Sequence, residues 1–186
     1  MEDFNLDGHM DLFIANGHID DWRDKGDDWK MHPQLFSHTP NGWVEQTSHA
    51  GEYFSGQYLG RAVAKSDYDN DGDCDLLVIH QNDPAALLQN ERVDGNWLKL
   101  SFVGQRTNRR GIGVRVEVSI GEQRLVQELA GGTSFCSGHE PALFFGLGDW
   151  GYTCDIEVTW PMHESAPTIL EDVSLNQSLV IHESAD

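Results

Sequence analysis

The chain has 186 residues and a formal net charge of −19, with 31 acidic and 12 basic residues. A chain of this length holds one large domain or two smaller ones, each with its own core. The acidic balance and the lack of a basic stripe argue against nucleic-acid binding, and no apolar run approaches the roughly 20 residues that a membrane span needs.

The first recognisable element is an acidic loop, DFNLDGHMD, which runs from Asp3 to Asp11. Side-chain oxygens occupy alternate positions, and Gly8 stands at the sixth, where it permits a chain reversal without a Cβ clash. Such a loop gathers the several oxygen ligands that Ca²⁺ prefers. The apolar residues that follow, LFIAN, predict a short buried strand. The predicted ligands are Asp3, Asn5, Asp7, the backbone carbonyl of His9, and Asp11.

A polar and highly charged segment, His18–His32, follows this strand. We interpret it as a long surface insertion, and long loops in compact domains are often functional. Its two tryptophans, Trp22 and Trp29, are expected either to form a platform for a ligand or to pack onto the sheet.

The same acidic pattern recurs 64 residues later as DYDNDGDCD and again leads into an apolar segment, LLVIH. Two copies with the same sequel indicate an internal repeat. An EF-hand needs a bidentate glutamate at the twelfth loop position, but Ile14 and Val78 stand there, so the EF-hand is excluded. The predicted ligands of the second site are Asp67, Asp69, Asp71, the backbone carbonyl of Asp73, and Asp75.

Beyond a boundary expected near Val93–Asn96, short segments alternate between apolar and polar residues, which predicts strands. The clearest are NWLKLSFV, IGVRVEVSI and DIEVTW. Since no stretch shows a convincing helical period, we predict an all-β fold. The acid excess lies mainly before the boundary: residues 1–95 hold 19 acidic and 6 basic residues, and residues 96–186 hold 12 and 6.

The three cysteines, Cys74, Cys136 and Cys154, are too few for a disulfide framework. Cys74 lies inside the second loop, where we expect a small residue that points away from the metal. The sequence leaves open a disulfide between Cys136 and Cys154, because it does not give their separation.

Several motifs resemble known families. GRAVAKSDYDNDGDCDLLVIHQN and DFNLDGHMDLFIANGHI resemble FG-GAP/VCBS repeats. From Asn96 to Glu183 the chain resembles the ASPIC/UnbV domain, since NWLKLSFVGQRTNRRGIGVRVEV, Gly131–Gly132, FFGLGD, IEVTWP and NQSLVIHE occur in that family's order. This combination is similar to the cartilage acidic protein-like family.

The resemblance implies two domains. Residues 1–94 would form two integrin α-like, calcium-binding blades of a β-propeller, and residues 95–186 a β-sandwich-like or barrel-like ASPIC/UnbV domain. Two blades do not close a propeller, which takes four to eight. We therefore expect the chain to be the C-terminal part of a longer protein.

For function, the resemblance implies a secreted or surface protein, located outside the cell, in the periplasm or on the cell surface. Its partner would be a protein or glycan ligand on the cell surface or matrix. No catalytic constellation is present: His163-Glu164 and His182-Glu183 lack the HExxH spacing, and GxSxG is absent. We predict a non-catalytic calcium-binding adhesion module. The alternative is an accessory domain of a carbohydrate-processing or biosynthetic protein whose chemistry lies upstream.

Overall fold

The computed structural model describes residues 1–91, 95–162 and 166–184. Within these ranges the chain forms thirteen β-strands and three short 3₁₀ helices, which confirms the predicted all-β fold. The strands are β1 (Leu12–Ile14), β2 (Gln34–Thr39), β3 (Gly42–Glu45), β4 (Gly60–Ser66), β5 (Asp75–His80), β6 (Ala86–Leu88), β7 (Asn96–Val103), β8 (Arg115–Ile120), β9 (Gln123–Glu128), β10 (Ala142–Gly148), β11 (Thr153–Thr159), β12 (Thr168–Ser174) and β13 (Gln177–His182). The 3₁₀ helices span Arg23–Lys25, Thr47–His49 and Glu52–Ser55.

The N-terminal half contains two antiparallel sheets, β1-β2-β3 and β4-β5-β6. Each acidic loop leads into one of them: the first precedes β1, and the second joins β4 to β5. In both copies the residue before the loop pairs with the ninth-position aspartate, Glu2 with Asp11 and Ser66 with Asp75. The residues at the two ends of each loop therefore pair with each other in an antiparallel arrangement.

The C-terminal half forms two facing sheets, β10-β7-β13 and β12-β11-β8-β9. The second is antiparallel throughout, whereas β13 runs parallel to β7 in the first. Alternate side chains of β8 and β11 are fully buried, as the period-two pattern predicts. Neither sheet closes into a barrel within the described residues, so the sandwich-like form is the one observed. The shared core includes Leu98, Leu100, Val116, Val118, Phe145, Ile156 and Val158.

Two sequence-based interpretations fall partly or wholly on positions that lie outside the described residues. The boundary expected near Val93–Asn96 is described only from residue 95 onward, and β7 begins at Asn96. The His163-Glu164 pair that we considered for HExxH lies wholly outside them.

A buried carboxylate ties the end of the last strand to the loop after β7. Glu183 is 1 % exposed, and its Oε2 accepts the backbone N–H groups of Gln105, Arg106 and Thr107 at 2.8–2.9 Å. The Thr107 hydroxyl donates to the same oxygen at 3.0 Å. Burial alone would raise the pKa of Glu183, but these donors outweigh it and lower the pKa to about 2.

This carboxylate links stability to pH. Because the pKa of Glu183 lies below its ordinary value of 4.5 in the folded chain, its contribution is fully present above about pH 4.5 and is lost as the pH falls toward 2. We expect Glu183→Gln to lower the free energy of unfolding by about 1–3 kcal/mol at neutral pH and to flatten this acid dependence. Urea unfolding at several pH values measures both, with the exposed Glu171→Gln as control. Unchanged stability of Glu183→Gln at neutral pH would contradict the assignment.

Candidate metal centre

The two acidic loops share one backbone conformation. The fourth position is left-handed in each, with φ of 57° at Leu6 and 62° at Asn70. The sixth is left-handed too, with φ of 85° at Gly8 and 99° at Gly72. At the larger φ of the sixth position a Cβ would be strained, and glycine has none, which explains the glycine there. The repeat seen in the sequence is therefore also a repeat of conformation.

The ninth-position aspartates brace the loops. Asp11 Oδ2 accepts the N–H of Phe4 at 3.1 Å, and its Oδ1 accepts the N–H of His38 in β2 at 3.0 Å. Each aspartate thus ties the start of its loop to a neighbouring segment, a role that the sequence pattern did not reveal. The second loop repeats the arrangement with Asp75, Tyr68 and Asn90, at 2.7 and 2.8 Å.

The second loop brings three carboxylates together. One oxygen each of Asp67, Asp69 and Asp71 lies within 4.8 Å of the others. In the part of the chain that the structure describes, this is the only group of three or more His, Cys, Asp or Glu side chains with such spacing. Ca²⁺ binds oxygens at 2.3–2.6 Å, so ligands on opposite sides of the ion are about 5 Å apart. The spacing of these oxygens and their chemistry fit calcium. The neighbouring Asp73 is buried.

The first loop has an amide, Asn5, where the second has Asp69, and its side chains are joined by hydrogen bonds. Its carboxylates do not form a group with the close spacing of the second loop. The Asp7 N–H lies within hydrogen-bonding distance of both Asp3 Oδ1 (3.1 Å) and Asn5 Oδ1 (3.2 Å), and Asn5 Nδ2 donates to Asp7 Oδ2. The Gly8 N–H donates to Asp3 Oδ2 at 2.7 Å. The His9 N–H donates to Asp7 Oδ1, and its ring lies beside the same oxygen. These hydrogen bonds link Asp3, Asn5 and Asp7 within the loop, and their role as calcium ligands stays a prediction.

Burial shapes the electrostatics of the loops. It raises the pKa of Asp3 to about 7; the N–H donors of Gly8 and Asp7 oppose this rise, and the charges of Asp7 and Asp11 add to it. The pKa values of Asp11 and Asp75 are also raised, chiefly by burial. The loops thus hold carboxylates that water stabilises poorly, and a bound cation would favour their charged forms.

Both loops pack against the C-terminal half, a contact that the sequence did not predict. A Cβ on Gly8 would overlap the ring of Trp150, and one on Gly72 would overlap the ring of Trp97. The Gly148 N–H donates to the carbonyl of Leu6 at 2.9 Å. Gly8 and Gly72 are thus required for two reasons: their positive φ, and the close packing of a tryptophan ring against each of them.

A buried lysine completes the contact at the second loop. Lys99, in β7, has 8 % of its side chain exposed. Its Nζ lies 3.2 Å from Asp67 Oδ2 and 2.8 Å from Glu140 Oε1. Burial alone would lower the pKa of Lys99, but the hydrogen bond and charge of Glu140, together with Asp67, raise it. Glu140 Oε2 accepts the Ser66 hydroxyl and the Asp67 N–H, which fixes the carboxylate in place.

A cleft of about 690 Å³ lies between the two N-terminal sheets. This volume is in the range of small-ligand pockets. Asn5 and Asp7 of the first loop help to line it, so one candidate metal site borders the cleft. Its apolar lining comes from Phe4, Phe13, Leu35, Phe54, Leu76 and Leu88.

The two tryptophans of the insertion lie beside cations from the insertion itself. Lys25 Nζ lies 4.7 Å from the centre of the Trp22 ring, and Arg23 Cζ lies 5.0 Å from that of Trp29. Trp22 remains 41 % exposed. The insertion therefore folds partly upon itself, with a cation of the insertion over each ring.

The cysteines of the sequence hypothesis are free thiols. Cys136 is exposed and Cys154 is buried, and no disulfide joins them. Burial raises the pKa of Cys154 to about 11, so this thiol stays protonated at neutral pH. Cys74 is buried within the second loop and lines the cleft.

Comparison with known families identifies the C-terminal part of the chain. Residues 104–186 match the ASPIC and UnbV family, which agrees with the resemblance found in the sequence. The match includes β8 to β13 and begins just after β7, the strand that lies between β10 and β13. No curated protein matches the chain. The described residues include no helix that is long and apolar enough to cross a membrane.

The packing of Trp97 on the second loop can be tested at Gly72. Both Gly72 and Gly26 have positive φ (99° and 92°), but a Cβ on Gly26 would meet nothing within 4 Å. We expect Gly72→Ala to lower the free energy of unfolding by about 1–3 kcal/mol more than Gly26→Ala, because it adds steric overlap to backbone strain. Chemical denaturation measures the difference. Equal losses would show that Trp97 does not press on the loop, whereas Trp97→Ala should recover part of the Gly72→Ala loss.

Proposed function

We propose that the chain binds two calcium ions, one in each acidic loop, within repeats of the FG-GAP/VCBS type. The observation that carries this proposal is the convergence of Asp67, Asp69 and Asp71 within 4.8 Å in a loop whose backbone conformation recurs at residues 3–11. The ions would be held by Asp3, Asn5, Asp7, the carbonyl of His9 and Asp11 in the first loop, and by Asp67, Asp69, Asp71, the carbonyl of Asp73 and Asp75 in the second.

The charge distribution supports the same proposal. Asp3, Asp11 and Asp75 are each at most 5 % exposed. Buried carboxylates destabilise a fold unless hydrogen bonds or opposite charges compensate them. Backbone N–H groups provide part of the compensation, and a divalent cation in each loop would provide the rest. Calcium in this role is structural: it fixes the loops and, through them, the sheets that they join.

We further propose that the protein is a non-catalytic binding or adhesion module that works outside the cytoplasm, on the cell surface or in the matrix. The cleft between the two N-terminal sheets is the best candidate for its ligand surface, because it combines an apolar lining with polar groups of the first loop. A calcium-fixed loop keeps one wall of the cleft in place, which reduces the entropy lost when a protein or glycan ligand binds.

Calcium should stabilise the fold. An ion that binds only the folded state adds about 2.7 kcal/mol per site at a concentration 100 times its Kd. For a chain of this size we expect each filled site to raise Tm by roughly 5–10 °C. Differential scanning calorimetry with calcium and with chelator measures the shift. An identical Tm under both conditions would refute calcium binding.

Removal of one ligand should remove one site. Calorimetric titration of the unaltered chain should give two ions per molecule, and Asp71→Ala should give one, with about half of the calcium-dependent rise in Tm. Glu122→Ala removes the same charge from an exposed turn far along the chain from either loop, and we expect it to retain both ions. Two ions bound by Asp71→Ala would show that the second loop is not a site.

The ligand surface can be tested by closing the cleft. Ser37 lies on β2 and lines the cleft, so Ser37→Trp should fill part of it. On a glycan array probed with calcium, we expect binding to be lost in Ser37→Trp and retained in Ser178→Trp, which alters an exposed position on β13. Retained binding in Ser37→Trp would place the ligand elsewhere. A different outcome would favour the alternative, an accessory domain of a carbohydrate-processing protein. In that outcome the protein turns over a glycan, and substitution of one carboxylate abolishes the turnover but leaves calcium binding intact.

A further inference from the structure

The two loops are alike in sequence and backbone but differ in the cation that faces them. In the second loop, Asp67 pairs with Lys99 of the C-terminal half. In the first, the equivalent Asp3 accepts the N–H groups of Asp7 and Gly8. Within the described residues Asp3 forms no ion pair, and the nearby Lys65 pairs with Glu2 instead. Among the described residues, a lysine therefore pairs with the first-position aspartate of the second loop, and none pairs with that of the first loop.

Lys99 is held in this place. It belongs to β7, which lies between β10 and β13, and its side chain is 8 % exposed. Its ammonium lies 5.4 Å from the centre of the Phe144 ring, the cross-strand partner of Lys99. Trp97, two residues earlier on the same strand, covers Gly72 of the loop. Strand β7, the Phe144 ring and Trp97 all restrict the Lys99 side chain. We therefore expect the ammonium to stay near Asp67 when calcium binds.

On the basis of the proposed calcium binding, we propose that Lys99 is a built-in counter-cation that lowers the calcium affinity of the second loop. A calcium ion bound to Asp67 must share that carboxylate with the ammonium or displace it. At an effective dielectric constant of about 20, repulsion between an isolated ammonium and a divalent ion several ångströms apart would lower the affinity by several orders of magnitude. Because Glu140 offsets much of the ammonium charge, we expect a smaller net loss, of at least about tenfold. Glu140 gives the ammonium a second partner, so the pair can persist when calcium is bound.

The test isolates the second loop by removing Asp7 from the first. Calorimetric titration with CaCl₂ then compares Asp7→Ala with Asp7→Ala/Lys99→Met, and we expect the second variant to bind calcium at least about tenfold more tightly. Lys99→Arg keeps the positive charge and should stay within about threefold of the parent. Lys30→Met is the matched control: it also removes a paired lysine, the partner of Asp83, at a site outside both loops, and should leave the affinity within about twofold.

Loss of Lys99 also leaves the buried Asp67 and the partly buried Glu140 without this cation, so the calcium-free variant is expected to be less stable. If Lys99→Met fails to fold without calcium, Lys99→Gln, which can still donate a hydrogen bond, replaces it in the titration, and circular dichroism verifies the fold before calcium is added. Equal affinity in the Lys99 and Lys30 variants would overturn the role of Lys99 and leave the calcium proposal standing. Absence of calcium binding in the unaltered chain would overturn both.

Discussion

Buried carboxylates at the junction of the two halves are the constraint on which the rest of the structure depends. Glu2, Asp3, Asp11, Asp67 and Asp75 are each at most 5 % exposed, and all lie in or beside the acidic loops. Burial of so many like charges destabilises a fold unless each has donors or cations around it. Backbone N–H groups of the loops, together with Lys65 and Lys99, compensate part of this charge. The proposed ions would compensate the rest.

The C-terminal sandwich takes part in this compensation. Strand β7 presents Trp97 and Lys99 to the second loop, and Gly146 of the adjacent β10 lies against Asp3 of the first. A Cβ at Gly146 would overlap the Asp3 carboxylate. The first loop therefore requires a glycine at this position of the FFGLGD motif. The same sheet therefore meets both candidate metal centres. The N-terminal sheets and the C-terminal sandwich are therefore in direct contact at the loops.

The sequence predicted what local patterns encode. Alternation placed Leu98, Leu100 and Phe102 in the core, and the loop spacing brought Asp67, Asp69 and Asp71 together. It did not predict that Lys99, on the opposite face of the same strand, would be buried, because that face meets a loop 32 residues earlier in the chain rather than water. The only local signal was a lysine between two leucines.

The contacts that the sequence missed are all between distant segments. Trp97 lies in a predicted strand and Trp150 in no predicted element, and neither position indicates a contact with a loop. The cleft arises only where two separate sheets meet. The bracing role of Asp11 and Asp75 depends on partners in neighbouring segments, His38 and Asn90. Pattern and spacing describe which residues share a loop or a face, but they do not describe what packs against it.

If both loops bind calcium as proposed, each ion lies close to a tryptophan of the C-terminal half. Tb³⁺ resembles Ca²⁺ in size and ligand preference, and its green emission is sensitised by a nearby indole. Since Trp150 covers the first loop and Trp97 the second, titration with Tb³⁺ should give tryptophan-sensitised emission that saturates at two ions per chain and is reversed by excess Ca²⁺. Emission no stronger than that of a chain carrying both Asp7→Ala and Asp71→Ala would contradict metal binding in the two loops.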